Sequence, residues 1–207
     1  MLLFLSGCGA GWGALAVNLG AVKPGMVPAE FKLTQTGPVL VLVDDDDELM
    51  DVPEARSMLA RQLTTELVSN KAISRPVRPE VVEELRKSHR DLDQRGCREV
   101  GCLAEAEQVI WLRVRDFYAG EQSSDRGESA RITVSIKVIN AMENHEKSKV
   151  RLWPTTYEGH SLTVELSVGE AGRAGTRDNI TRVLCDKTAA TIAKLFYEHP
   201  MDEFALK

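Results

Sequence analysis

The chain has 207 residues, 43% apolar and 28% charged, with a net charge of -5. That length holds one ordinary core plus a tail, and the apolar content is that of a globular protein. The 26 Lys and Arg are scattered, so no phosphate-tracking stretch is evident and nucleic acid is not an expected partner. After the first few residues no apolar run approaches the roughly 20 residues needed to cross a bilayer.

The chain opens with Met1-Leu2-Leu3-Phe4-Leu5-Ser6-Gly7-Cys8-Gly9, an apolar segment ending in two small residues before a cysteine. Leu5-Ser6-Gly7-Cys8 resembles the lipobox of bacterial lipoproteins. The resemblance implies that Cys8 carries a diacylglyceryl group on its sulfur and becomes the first residue of an acylated, palmitate-type lipoprotein. Residues 1–8 are then the remnant of a signal peptide. Stable anchoring takes two or more acyl chains, because each buried methylene contributes about 0.8 kcal/mol and one chain is marginal. Seven residues precede Cys8 and none is Lys or Arg, short of the basic region and the apolar core of about 7 to 15 residues in a full signal peptide. Either the start lies upstream of Met1 or the cysteine is a coincidence. Gly9-Ala10-Gly11-Trp12-Gly13-Ala14 has the small-residue character of a tether. Gly9 stands where the best-known inner-membrane lipoproteins carry aspartate, which favours the outer membrane.

Residues 9–37 read as tether or linker, with Gly20, Pro24, Gly25 and Pro28 breaking any period and a short strand at Phe31 to Leu33. Pro38-Val39-Leu40-Val41-Leu42-Val43 is an unbroken apolar run and predicts a strand buried on both faces. After Asp44 to Asp47, which close that run, Val52-Pro53-Glu54 opens a helix with Asp51 as its cap and Asn70 as its end. Ala55, Leu59, Leu63 and Leu67 recur every four residues and place one face on the sheet. Ala72 to Val77 reads as a short edge strand, since Pro76 lacks a donor. Pro79 to Lys87 is a second helix and Cys97 to Glu107 a short one. Val109 to Phe117 is a strand, followed by a turn over Gly120 to Glu128. In Ala130 to Ile139, Ile132, Val134, Ile136 and Val138 alternate with Thr133, Ser135 and Lys137, which is a half-exposed antiparallel strand. Lys149 to Trp153 and Ser161 to Val168 are further strands. Thr176 to His199 is a long last helix, stopped by Pro200. The sum is an α+β (mixed α/β) domain over residues 38–200, a five- to six-stranded mixed sheet with a long carboxyl-terminal helix and further helices on it, and a tail at 201–207.

The same order of elements includes a cysteine-bearing helix before a strand, Gly101-Cys102-Leu103-Ala104-Glu105-Ala106-Glu107-Gln108-Val109-Ile110. Taken together the layout is similar to the TolB amino-terminal domain and the curli-secretion (CsgG-like) lipoprotein domain. That likeness implies protein binding and assembly in the bacterial envelope, facing the periplasm, without catalysis. It assigns no functional residue.

Asp44, Asp45, Asp46 and Asp47 are the one place where chemistry is readable. Carboxylates at a strand's carboxyl end hold magnesium in haloacid-dehalogenase-like and Toprim-type enzymes. The further partners such a site needs, a hydroxyl on the next strand, a lysine and another acidic pair, are not placed by the sequence. A solvated acidic turn facing a helix amino terminus is the plainer reading. Cys97 and Cys102 have four residues between them and no second pair elsewhere, which argues against zinc even with His89 near. In an exported chain a local disulfide between them is expected, adding roughly 2 kcal/mol. Cys185 reads as core. Trp111, Trp153 and Tyr157 line a groove or, more commonly for strand aromatics, fill the core. Arg151-Leu152-Trp153-Pro154 with Tyr157 is the expected partner surface. The reading is a lipid-anchored envelope protein, not an enzyme and without cofactor, that binds other envelope proteins or its own copies. The alternative is a magnesium-dependent hydrolase or phosphotransferase using Asp44 to Asp47; a third is a soluble cytoplasmic domain.

Overall fold

The computed structural model describes residues 25–45, 47–52, 54–120, 129–143 and 146–201. The described chain begins with a two-residue strand, β1 (Met26–Val27), and an extended arm that reaches β2 (Val39–Asp44). All five apolar residues of β2 are at most 4% exposed. Its alternation sorts them: Val39, Val41 and Val43 enter the core on one side of the sheet, Leu40 and Leu42 that on the other. The unbroken apolar run is therefore explained by two covered faces.

Next come α1 (Ala55–Ser69), α2 (Glu80–Ser88), a 3-10 turn at Leu92–Gln94 and α3 (Cys97–Leu103). They carry the chain to β3 (Gln108–Tyr118), which lies parallel to β2 with Val41 opposite Ile110. β4 (Ala130–Asn140) returns antiparallel along β3. Then follow α4 (Lys147–Val150), β5 (Arg151–Trp153), β6 (His160–Leu166), α5 (Val168–Ala174), α6 (Arg177–Ala193) and β7 (His199–Pro200). The far edge of β4 is shared: β6 pairs with its first half and β5 with Val138 and Ile139. The result is a mixed five-stranded sheet, as the periodicities predict.

One face of the sheet is covered by α1 and α6. Ala55, Leu59, Leu63 and Leu67, spaced one turn apart, are all fully buried, and Leu184, Cys185, Ala189 and Ile192 meet them from α6. Each such leucine contributes about 1.5–3 kcal/mol by leaving water. Among the described residues, the other face is covered over β2 and the adjoining ends of β3 and β4. There Val82 of α2, Leu92 of the 3-10 turn and Val100 of α3 pack on Leu40, Leu42, Val109 and Ile139.

Several expectations are corrected. The arm at 25–37 is docked and not a tether: Glu30 and Phe31 amides donate to the Leu195 carbonyl, Leu33 is 4% exposed, and β1 pairs with β7. Thirteen residues before the expected boundary thus belong to the domain, because Leu33 and Phe31 have core to join. Phe31 to Leu33 is not a strand, and Ala72 to Val77 forms only a single bridge, Val39 to Pro76. α1 starts at Ala55 with no side-chain cap; Asp51 instead pairs with Arg177 of α6. The last helix ends at Ala193 and gives way to a 3-10 turn, Lys194–Phe196. α5 has a capping box, Ser167 with Glu170, that the strand reading passed over. Residues 121–128, most of the expected turn, lie outside the described residues, as do Cys8 and residues 202–207.

Candidate functional site

Beyond the reach of α2 and α3 the second face of the sheet is open among the described residues. Its floor is set by strand alternation: Trp111 and Arg113 of β3, with Lys137 of β4 directly opposite Trp111. The β3–β4 register shifts between Val114 and Asp116, so Arg115 is an extra residue of the strand. A bulge of this kind re-aims side chains. It lets Arg115 join the groove while Asp116 pairs with Arg131 at 2.7 Å on the same face.

The groove's wall is the loop after β5. Arg151 Nη1 donates to the Thr156 carbonyl at 2.8 Å, and the Ser135 hydroxyl donates to the Glu158 carbonyl. Gly159 turns the chain back with φ of +92°, and a Cβ there would meet the Ile136 carbonyl oxygen at 2.9 Å. Only glycine meets both conditions. The loop sets Tyr157, 76% exposed, above the sheet. Lys137 Nζ lies 5.1 Å from the centre of the Trp111 ring and 5.2 Å from that of Tyr157, with the Arg151 guanidinium 5.4 Å from Tyr157. These are cation–π distances.

The concavity is about 530 Å³ and collects Arg113, Arg115, Lys137 and Arg151 against one lining carboxylate, Glu158. Burial first, then the neighbouring Arg151 charge, holds the Lys137 ammonium below its ordinary value of 10.5. Chemically this is an electropositive, aromatic-flanked floor that offers binding groups on a fixed scaffold.

The aspartates at the end of β2 are spoken for. Asp44 Oδ2 accepts from Trp111 Nε1 at 3.0 Å. Asp45, 5% exposed, accepts the Leu49 and Met50 amides at 2.9 and 2.8 Å, closing the loop toward α1. Asp47 is exposed, and Asp46 lies outside the described residues. Among the described residues no three His, Cys, Asp or Glu side chains gather as metal ligands.

Cys97 and Cys102 are free, against the expected disulfide. Both sit on α3, five residues apart, a helical rise of about 7.5 Å that exceeds what a disulfide spans. Burial pushes the Cys97 thiol up to about 11, and Cys102 Sγ faces the Ala141 carbonyl at 3.0 Å. Cys185 is fully buried, as expected of a core residue, with its thiol raised to about 12.

The expected partner surface divides. Arg151 and Tyr157 are in the groove, but Trp153 is on the helix side. It stacks on His160 at 5.1 Å and meets Phe196 edge-on at 5.8 Å. The cause is register: Val138 faces Trp153 while Ile139 faces Arg151, which leaves Leu152 as an extra residue and turns Arg151 and Trp153 to opposite faces. Sequence reading missed Arg113, Arg115 and Lys137. The signal was present in Trp111-x-Arg113-x-Arg115, a period of two with the apolar Leu112 and Val114 interleaved.

The fold and the groove define an α+β domain with two helices across one sheet face and a cationic opening on the other. No protein-family model matches the chain, and no curated protein does. Among solved structures it is similar to the PelC dodecamer from Paraburkholderia phytofirmans (11% identity, TM-score 0.40, covering 81% of this chain and 94% of that one). It is also similar to the hypothetical protein CT253 from Chlamydia trachomatis (14% identity, TM-score 0.43, 79% and 98%). A third is lipoprotein GNA1162 from Neisseria meningitidis (13% identity, TM-score 0.42, 66% and 89%). At these scores the likeness carries no functional inference.

Proposed function

We propose that the chain is a lipid-anchored bacterial envelope protein, not an enzyme, whose domain binds other envelope proteins or copies of itself in the manner of TolB amino-terminal and CsgG-like domains. The observation that carries the reading is Leu5-Ser6-Gly7-Cys8 placed before a glycine-rich stretch and a folded α+β body. Anchoring then comes from acyl chains on Cys8, and the periplasmic side of the outer membrane is the site. Among the described residues no helix is long and apolar enough to cross a membrane. Binding chemistry in the groove and the commitment of Asp44 and Asp45 to internal hydrogen bonds support a non-catalytic role over the phosphotransferase alternative.

The test is expression from the natural gene with a clickable palmitate analogue. Label is expected on the wild-type protein in the membrane fraction and is expected to vanish with Cys8→Ser. An unlabelled wild-type product, free in the cytoplasm, overturns the anchoring.

A further inference from the structure

We infer that the open sheet face is a binding site for an anionic saccharide, one that bears carboxylate or phosphate groups. This goes beyond the anchoring reading and does not depend on it, since the groove belongs to the folded body. Its floor and wall bring Arg113, Arg115, Lys137 and Arg151 around Trp111 and Tyr157.

Three features argue for a ligand and against an ordinary solvated strand face. First, opposite charges across neighbouring strands stabilise a sheet and like charges oppose it. The same face obeys that rule where Arg131 meets Asp116 at 2.7 Å and where Asp44 stands opposite Arg113, yet the groove gathers four cations against two acids, Asp44 and Glu158. Second, the chain is net -5, so its overall field repels polyanions and an anion would be drawn only to a local concentration of positive charge. Third, two of the cations are held in place. Lys137 lies between two rings, and Arg151 is tied to the Thr156 carbonyl and stacked on Tyr157. Such groups lose little freedom when a ligand arrives.

The kind of anion follows from what the face lacks. β3 is hydrogen-bonded on both edges, to β2 and β4, and β4 to β3 on one edge and to β5 and β6 on the other. A peptide therefore finds no free edge on either floor strand, β3 or β4, to extend. The groove also offers no deep apolar pocket to anchor a side chain: its apolar lining is confined to the two aromatic rings, Ile139 and Val150. A saccharide uses what is present. Its C–H face rests on an exposed ring such as Tyr157, and its charged groups meet forked guanidinium donors, which pair well with carboxylate and phosphate.

The experiment uses the full chain with Cys8→Ser and follows binding calorimetrically at low and moderate salt. Oligogalacturonate is the carboxylate probe. A neutral maltooligosaccharide of equal length, oligoglutamate and an oligothymidylate are the comparators. Oligogalacturonate is expected to bind with an affinity that falls as salt rises. Lys137→Glu and Arg151→Glu are each expected to weaken it about tenfold or more. Tyr157→Ala is expected to weaken it less but measurably. Arg61→Glu on the exposed side of α1 makes the same change in net charge and is expected to leave binding unchanged. Retained helical content and melting temperature show that the variants fold. The proposal is overturned if oligogalacturonate fails to bind, if Arg61→Glu weakens it as much as Lys137→Glu, or if oligoglutamate or oligothymidylate binds as tightly with the same dependence on Tyr157. A failure of Cys8 acylation leaves every one of these outcomes readable.

Discussion

Replacing Asp45 with alanine separates the structural from the metal-binding view of the acidic stretch. The carboxylate is 5% exposed and bonds two amides, Leu49 at 2.9 Å and Met50 at 2.8 Å, while its own carbonyl takes the Glu48 amide at 3.1 Å. These bonds hold a tight loop in which Glu48 adopts φ of +52°, a conformation unfavourable without support. A hydrogen bond to an ionised group contributes about 1.5–3 kcal/mol, and an orphaned buried amide costs its desolvation as well. The Met50 amide lies in a buried place, whereas the Leu49 residue is half-exposed and water recovers part of its loss. The expected destabilisation is therefore about 2–4 kcal/mol. Asp45→Asn keeps one acceptor but turns an NH2 toward the second amide, so its loss should fall between wild type and alanine. Urea unfolding by circular dichroism measures both, as a lower midpoint with unchanged slope, with and without millimolar MgCl2. An alanine variant as stable as wild type refutes the structural role. Magnesium stabilisation of the wild type that disappears in the variant would restore the phosphotransferase alternative.

Gly101 lies inside α3, and a Cβ there would come to 2.5 Å from Val109 Cγ2 and 2.8 Å from Ala141 Cβ. Alanine gains about 0.5–1 kcal/mol of helix preference, but overpacking a fixed core costs about 1–3 kcal/mol. Gly101→Ala is thus expected to lower the melting temperature, and a rise would show that the contact is soft. In the Cys8→Ser chain, thiol titration without reductant is expected to find three free thiols. Cys102 should react first, Cys97 more slowly because burial raises its thiol to about 11, and Cys185 only on unfolding. Recovery of a Cys97–Cys102 disulfide peptide by mass spectrometry contradicts this. Glu170 accepts from the Ser167 amide and hydroxyl and pairs with Lys187, which lowers its carboxyl from 4.5 to about 2. Its folded-state value is the depressed one, so its contribution is complete above pH 4.5 and is lost as pH falls toward about 2. Glu170→Gln should flatten the melting temperature's dependence on pH in that window; an unchanged slope counts against the capping role.

The sequence by itself determined the elements whose burial is local in origin. An apolar run in every position, as at Val39 to Val43, has no polar side to give to solvent, so both faces must be covered. A four-residue leucine period, as at Leu59, Leu63 and Leu67, has one face to bury and one partner layer to seek. The lipobox-like Leu5 to Cys8 is equally local. What depends on register was decided only by the tertiary structure. Arg113, Arg115, Lys137 and Arg151 are up to 38 positions apart in the chain, and pairing Trp111 with Lys137, a bulge at Arg115 and a loop folded back at Gly159 bring them together. A one-residue shift at Leu152 parts Arg151 from Trp153, which stand two apart in sequence. In a sheet of period two, a single extra residue exchanges the faces, and nothing local to the sequence says where the partner strand places it.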